Sequence, residues 1–281
     1  MQKSAVLVTG AAGGIGAAAV RTLAERGYLV FAAVRQDNAA SRTLAALPDV
    51  RLVTMDVTDP DSVATAAEEV GRQVTGLHAI VNNAGLIVQG PLELVPPAQL
   101  QQQFEVNTYG PAYVTQAFLP LLRAGHGRVV NVSAPTGRVA MPFLGALSAS
   151  KAALEAFTAA LRLELAAWNM PVVVVEPGTT ETRIFAKADT AAKAALRETD
   201  PRRTALYRDH LARLDKSMTA MKPRPVQPVA DAIAAAVTDR KPRRRYSVAD
   251  ARMISILLKL PTGLRERLVM GSLGLRGATA G

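Results

Sequence analysis

Six short apolar runs punctuate the first two thirds of the chain: Ala5–Val8, Leu29–Val34, Leu52–Met55, Ala79–Val81, Val129–Val132 and Val172–Val175. Each is continuous and rich in β-branched residues, as strands buried on both faces of a parallel sheet should be. Ala- and Leu-rich stretches with interspersed charge separate them and read as helices. Asp59-Pro60, ahead of DSVATAAEEV, offers an N-cap carboxylate and a proline at the first helical position. The alternation predicts an α/β fold, a single-domain Rossmann-type doubly wound parallel sheet with right-handed crossovers and helices on both faces. No repeat or low-complexity linker divides the chain, so one domain is expected over 1–281. After Glu176 the rhythm changes. Arg183–Met221 predicts an inserted pair of polar helices forming a substrate lid, Tyr246–Val248 a last short strand, and about 250–281 a helical extension. The spacing Leu154, Phe157, Leu161, Leu165 predicts a helix stripe facing the core.

Composition narrows the chemistry. A 49% hydrophobic share in 281 residues fits a chain that buries a large core. With no cysteine there are no disulfides, thiolate nucleophiles or cysteine-held metals, and three widely spaced histidines offer no ligand pattern, so no metal is expected. The net charge of +10 is uneven: residues 197–281 hold 18 Lys/Arg against 8 Asp/Glu, while the preceding part balances at 15 each. Its densest piece, Arg240–Tyr246, reads as a solvated turn. Nucleic acid is not an expected partner, because no basic stripe with interleaved aromatics is present. Met253–Leu275, where Leu, Ile and Met alternate with Lys259, Arg265 and Arg267, reads first as a helical pocket cover or subunit contact, and second as a peripheral membrane contact. No apolar run reaches the roughly 20 residues that cross a bilayer. The chain opens directly in a strand with no leader, so a cytoplasmic protein is expected.

The first strand ends in Thr9-Gly10-Ala11-Ala12-Gly13-Gly14-Ile15-Gly16, between a strand and the helix Ala17–Arg26. Glycines there allow a tight turn and let a pyrophosphate approach a helix N-terminus. Where an NAD-selective protein carries a carboxylate after the second strand, this chain has Val34 and then Arg35, whose planar fork suits a 2′-phosphate. NADP(H) is therefore favoured over NAD(H). Asp56-Val57 and Asn82-Asn83-Ala84-Gly85 follow the third and fourth strands, where adenine and ribose would pass.

Together TGAAGGIG, the Asp-Val pair, NNAG, Asn107 in FEVNTYG, SASK and Pro177-Gly178 occur in an order and spacing that resembles the short-chain dehydrogenases/reductases over about residues 4–250. The run PFLGALSASKAALEAF is similar to the branch holding 17β-hydroxysteroid and retinol dehydrogenase-like enzymes. The resemblance implies lipophilic alcohols or ketones as substrates and a homo-oligomer, dimer or tetramer. It places Gly10, Gly14, Ile15 and Gly16 at the pyrophosphate and Asp56, Val57, Asn83, Ala84 and Gly85 along the adenosine side. Lys151 is placed at the nicotinamide ribose, and Pro177, Gly178, Thr180 and Thr182 against the carboxamide. In that family a strand-end serine precedes by twelve residues a tyrosine acid/base, itself followed after three residues by the lysine. Here Lys151 is present, but the tyrosine position is Leu147 and the serine position Ala134. Loss of a general acid costs roughly 10²- to 10⁴-fold, and of an oxyanion donor roughly 10²- to 10³-fold.

Substitutes are few. Ser133 stands one place early and reaches a substrate only if the strand end bulges or the turn begins there; otherwise it is a buried serine bonded to backbone. Ser148 is turned away from Leu147. Tyr109 and Tyr113 read as packing on the long central helix, Tyr207 and His210 as lid positions, His78 and His126 as facing water, and Trp168 as a core or rim contact. The candidate catalytic residues are Asn107, Ser133 and Lys151, and the candidate substrate pocket is Ala134, Phe143, Leu147 and Tyr207. Three functions follow, in order. First is an NADP(H)-dependent oxidoreductase whose lipophilic substrate needs no tyrosine, such as an iminium, an activated enone, or a ketone protonated through water held by Asn107 and Lys151. Second is a non-redox cyclase, isomerase or lyase of secondary metabolism with an apolar Leu147/Ala134 pocket. Third is a catalytically silent partner protein.

Overall fold

In the computed structural model, which describes residues 3–220 and 222–277, every apolar run becomes a strand. They are β1 (Ala5–Thr9), β2 (Leu29–Val34), β3 (Val50–Thr54), β4 (Ala79–Asn82), β5 (Arg128–Val132), β6 (Val172–Glu176) and β7 (Arg245–Ser247). All pair in parallel, in the order β3-β2-β1-β4-β5-β6-β7. This is the expected doubly wound sheet. Because successive side chains point to opposite faces, each strand feeds two cores. Val6, Val8, Val30 and Val130 pack on one face with the helices α1 (Gly14–Glu25) and α10 (Gln227–Thr238). Leu7, Phe31, Ile80 and Val129 pack on the other, where α3 (Pro60–Gly71) and α5 (Gly110–Ala124) bring Val63, Val70, Val114 and Phe118. Burying a side chain of that size is worth about 1.5–3 kcal/mol. Asp59 caps α3 by accepting from Asp61 N at 3.0 Å, as its sequence predicts.

The remaining helices are α2 (Ala39–Ala45), α4 (Pro97–Phe104), α6 (Gly145–Glu164), α7 (Arg183–Glu198), α8 (Pro201–Ala205), α9 (Arg208–Ala220), α11 (Ala251–Leu257) and α12 (Thr262–Ser272). The expected pair of lid helices is thus three, since Asp200-Pro201 interrupts the run and Asp200 caps α8 through Arg202 N at 2.9 Å. Met221, the expected end of the lid, and 278–281 of the expected extension lie outside the described residues. The faces of α9, α11 and α12 meet the loop before α6 in a small third core of Val139, Met141, Phe143, Leu214, Ile254, Leu258, Val269 and Leu273.

Some surface expectations change. Phe157 is 46% exposed, whereas Leu154 and Leu165 are buried. At 100° per residue it sits about 60° off the line through Leu154, enough to turn it outward. Tyr109 is 45% exposed at the end of the π turn and stacks on the half-buried Tyr113 of α5 with ring centroids 6.5 Å apart, so the pair packs together but Tyr109 also faces solvent. His78 does not face water: its Nε2 lies 3.0 Å from Val237 O and its ring 5.4 Å from that of Tyr28, and burial lowers its pKa. His126 is exposed as expected. Trp168, half exposed under the Arg123 guanidinium, is a rim contact.

Candidate active site at the carboxyl edge of the sheet

Strand order reverses between β1 and β4, and in such sheets ligands enter at the carboxyl ends beside the reversal. The glycine-rich turn lies there, built to fine tolerance. Gly10 has φ +63°, and a Cβ on it would stand 2.8 Å from Ala84 Cα. A Cβ on Gly16 would stand 2.3 Å from Gly10 O. The Thr9 hydroxyl accepts from Asn83 N at 3.0 Å and Ala84 N at 2.9 Å, and the Asn83 side chain donates to Thr9 O at 2.9 Å. Asn83, expected along the adenosine, therefore spends its amide on bracing the turn. Gly13, the residue before α1, provides no side-chain cap, so the first N–H groups of α1 are left for an anion. A Cβ on Gly14 would lie 2.9 Å from Thr182 Cγ2, which brings the segment after β6 against this turn. Thr182 caps α7, accepting from Ile184 N at 3.4 Å. Ile15 packs into the core below.

Arg35 is exposed immediately after β2. The Asp56 carboxylate is fixed by Thr58 N at 3.0 Å and Thr58 Oγ1 at 2.8 Å. Val57 is buried, and a Cβ on Gly110 would touch it at 3.0 Å, so Val57 spaces β3 from α5. Thr180 donates to Gly178 O at 2.8 Å, and Thr179 binds Asp250, which fixes the turn after Pro177 to the start of α11.

On the other side of the crevice, Lys151 is buried on α6 and donates to Val132 O at the end of β5, 2.9 Å away. Burial pushes its ammonium down to about 8, with Glu155 one turn along pulling the other way. Asn107 is fully buried in a wide π turn, Glu105–Tyr109, a feature frequent at functional sites. Its amide pairs at both ends with Leu86, Nδ2 to Leu86 O and Leu86 N to Oδ1, each at 2.9 Å. A Cβ on Gly85 would lie 3.3 Å from Asn107 Oδ1 and 4.0 Å from Lys151 Nζ, so these three positions converge.

The two positions at which the sequence leads one to expect proton-handling side chains, 147 and 134, carry hydrocarbon. Leu147 is 6% exposed and one turn before Lys151; Ala134 is half-buried beyond β5. Ser133 is buried just past the end of β5, where the turn begins, and its hydroxyl is not bonded to backbone: it has no bonding partner among the described residues, and the same is true of the Thr136 hydroxyl and His210 Nδ1. Ser148 is engaged by Met141 N at 3.3 Å. Phe143 adopts φ +62° and lies against His210, which also meets Tyr207. The Tyr207 hydroxyl donates to Glu93 Oε2 at 2.8 Å, and that bond raises its pKa. Tyr207 thus ties the segment between α8 and α9 to Glu93 rather than standing free as an acid. A cleft of about 430 Å³ opens among α7, α8 and α9 beside Arg197 and Arg208, with no lining from Leu147 or Lys151.

Two supports escaped the sequence reading. Gln103, fully buried, accepts from Val88 N at 2.7 Å and donates to Leu86 O at 3.0 Å and Ser150 Oγ at 3.3 Å, joining the loop after β4 to α6. At the end of β6, Glu176 is fully buried, accepts from Ser247 Oγ at 2.7 Å and lies between Arg138 and Arg245, each 3.4 Å away; Arg245 also pairs with Glu155 on α6. Nothing in a string of three glutamines or in isolated charges marks these positions. No group of residues suited to a metal ion occurs among the described residues.

Residues 4–193 match the short chain dehydrogenase family. The chain is 35% identical over 258 residues to the NADPH-dependent 3-dehydrocapnine reductase of Ornithobacterium rhinotracheale, covering 88% of this chain and 89% of that enzyme. It is 37% identical over 197 residues to the human 17-beta-hydroxysteroid dehydrogenase type 2, covering 67% of this chain and half of that protein. A short chain dehydrogenase of Burkholderia cenocepacia, solved in complex with NADP, superposes with a TM-score of 0.74 at 28% identity, covering 95% of this chain and 98% of that one.

Proposed function

The chain belongs to the short-chain dehydrogenase family, and from that premise we propose that it moves hydride between NADP(H) and a lipophilic substrate without a tyrosine acid/base. The observation that carries the reading is the contrast at one crevice: a braced glycine turn and a buried Lys151 beside an apolar Leu147. The cofactor reading rests on Arg35 and on the two relatives whose names carry NADPH or NADP. When bound, the dinucleotide supplies the hydride. The residues of this chain do the rest. The N–H groups at the start of α1 hold the pyrophosphate, Arg35 the 2′-phosphate, and Lys151 the nicotinamide ribose. Leu147 and Ala134 present an apolar wall that suits a steroid-like or acyl-like substrate, in keeping with the hydroxysteroid relative.

An iminium acceptor becomes a neutral amine on receiving hydride and needs no proton at the moment of transfer. An enone or ketone does need one, and with the Asn107 amide committed to Leu86 it comes by way of water or the Lys151 ammonium. The test presents purified protein with NADPH and matched ketone, enone and iminium substrates and follows absorbance and product together. Stoichiometric cofactor loss, fastest for the iminium, is the expected result; product formed with no NADPH consumed excludes the proposal.

The hydrocarbon at 134 and 147 also favours a second reading, a cyclase or isomerase that folds an apolar substrate and keeps the dinucleotide only as structure. Turnover that persists with a redox-inert dinucleotide selects it. In either reading a second copy of the chain covers the exposed Tyr109, Phe157, Leu163 and Trp168 of the α5–α6 side.

A further inference from the structure

We propose that α11 and α12 together form a docking surface for an anionic lipid bilayer. Both helices bury one side in the same small core, α11 through Ile254 and Leu258 and α12 through Val269 and Leu273. Their other sides face away from that core and are apolar where they are most open: Met253 is 63% exposed, Ile256 65%, Leu264 45% and Leu268 41%. On α12 the two leucines are four residues apart and share a face, and Arg265 and Arg267 lie about 80° to either side of its midline. On α11, Met253 and Ile256 share a face, with Arg252 and Lys259 together on one flank. Apolar side chains at the centre with long cations at the margin match the depth profile of a lipid interface, where the stems of Lys and Arg stay in contact with hydrocarbon while their heads reach the phosphates.

Charge selects the lipid. Over 250–277 there are five arginines and lysines and two carboxylates, and one of these, Asp250, is bonded to Thr179. Among the described residues no carboxylate forms an ion pair with Arg252, Lys259, Arg265 or Arg267. Each cation held near an anionic leaflet strengthens partitioning about fivefold. The denser run 240–244 precedes β7 and so lies at the amino edge of the sheet, whereas α11 leaves the carboxyl edge; it belongs to a different surface. No helix is long and apolar enough to cross the membrane among the described residues, so the contact is interfacial. The same core that seats these helices also includes Val139, Met141 and Phe143 from the loop leading into α6 and Leu214 from the lid. A bilayer at this surface would therefore adjoin the elements over the crevice. The inference does not depend on which reaction the crevice supports.

The experiment sediments the full chain with vesicles of phosphatidylcholine alone or mixed with phosphatidylglycerol. Selective sedimentation with the anionic vesicles is expected, weakened by high salt. Lys259→Glu with Arg267→Glu, both at exposed positions, should lower binding by at least about 25-fold while leaving the melting temperature unchanged. Ile256→Ser with Leu264→Ser should abolish it. Sedimentation that is absent, or indifferent to lipid charge or to the glutamate pair, overturns the proposal. So does a serine pair that keeps vesicle binding but lowers the molar mass seen by light scattering, which would assign the face to a second copy of the chain.

Discussion

The two walls of the crevice are built by opposite rules. On the β1–β4 side Thr9, Asn83 and Ala84 bond to one another across the turn and the glycines leave no room for a methyl group. On the β5–α6 side, bulk hydrocarbon occupies the positions beside Lys151, and the Ser133 and Thr136 hydroxyls and His210 Nδ1 are buried with no partner among the described residues. Backbone geometry tolerates almost no substitution where a diphosphate must approach, whereas a side chain that handles one proton can be exchanged without disturbing the fold. Under the proposed function, binding and proton transfer are separable in this scaffold, and the contrast can be attacked from either wall.

The largest effect is expected from restoring both hydroxyls. Leu147→Tyr with Ala134→Ser should raise NADPH-dependent ketone reduction by about 10²- to 10⁴-fold, the contribution of a placed general acid. Steady-state rates on a ketone panel measure it. A folded, NADPH-binding double variant with no gain would mean that the proton path lies elsewhere.

The opposite wall should respond by loss. Gly16→Ala puts a methyl group 2.3 Å from Gly10 O, so the turn or α1 must shift, at a cost of about 1–3 kcal/mol. Urea unfolding should register that cost, and dinucleotide titration should show weakened binding, with hydride acceptor preference unchanged in whatever activity survives.

An effect read in stability rather than in the reaction sits at Lys151, in the pH dependence. Its folded pKa, about 8, lies below the ordinary 10.5, so between those values the unfolded chain holds a proton that the folded chain has released. Stability should then rise as pH climbs from about 8 to 10.5, and below 8 the fold carries the cost of a buried charge. Lys151→Met should flatten that window in a melting series and stabilise the protein at neutral pH. A wild-type profile that is flat or falling there would contradict the burial argument.

Much of this was legible beforehand for a physical reason. A strand buried on both faces must be apolar throughout, so β1 to β6 announce themselves, and Gly10 to Gly16 stand where only glycine fits. Leu147 and Ala134 could be noticed because a fixed spacing to Lys151 says what to count. Gln103 and Glu176 could not, since their roles depend on which distant backbone or arginine the fold brings to them. Phe157 and His78 failed for a related reason: a period of 3.6 gives Phe157 a direction and a place ahead of a strand suggests water for His78, but only open solvent in the one case and the neighbouring α10 in the other decides what lies there.

The buried Glu176 links Arg138, in the loop after β5, to Arg245 on the last strand. Anyone transplanting a foreign tail onto this scaffold, or exchanging the stretch after β6 with a relative, has to carry all three ionic partners at once. Leaving out the two arginines would strand a carboxylate in the protein interior, at a cost of several kcal/mol. The final third of the chain is therefore not an interchangeable accessory, because through Arg245 and Glu155 it is tied to the helix that carries Lys151.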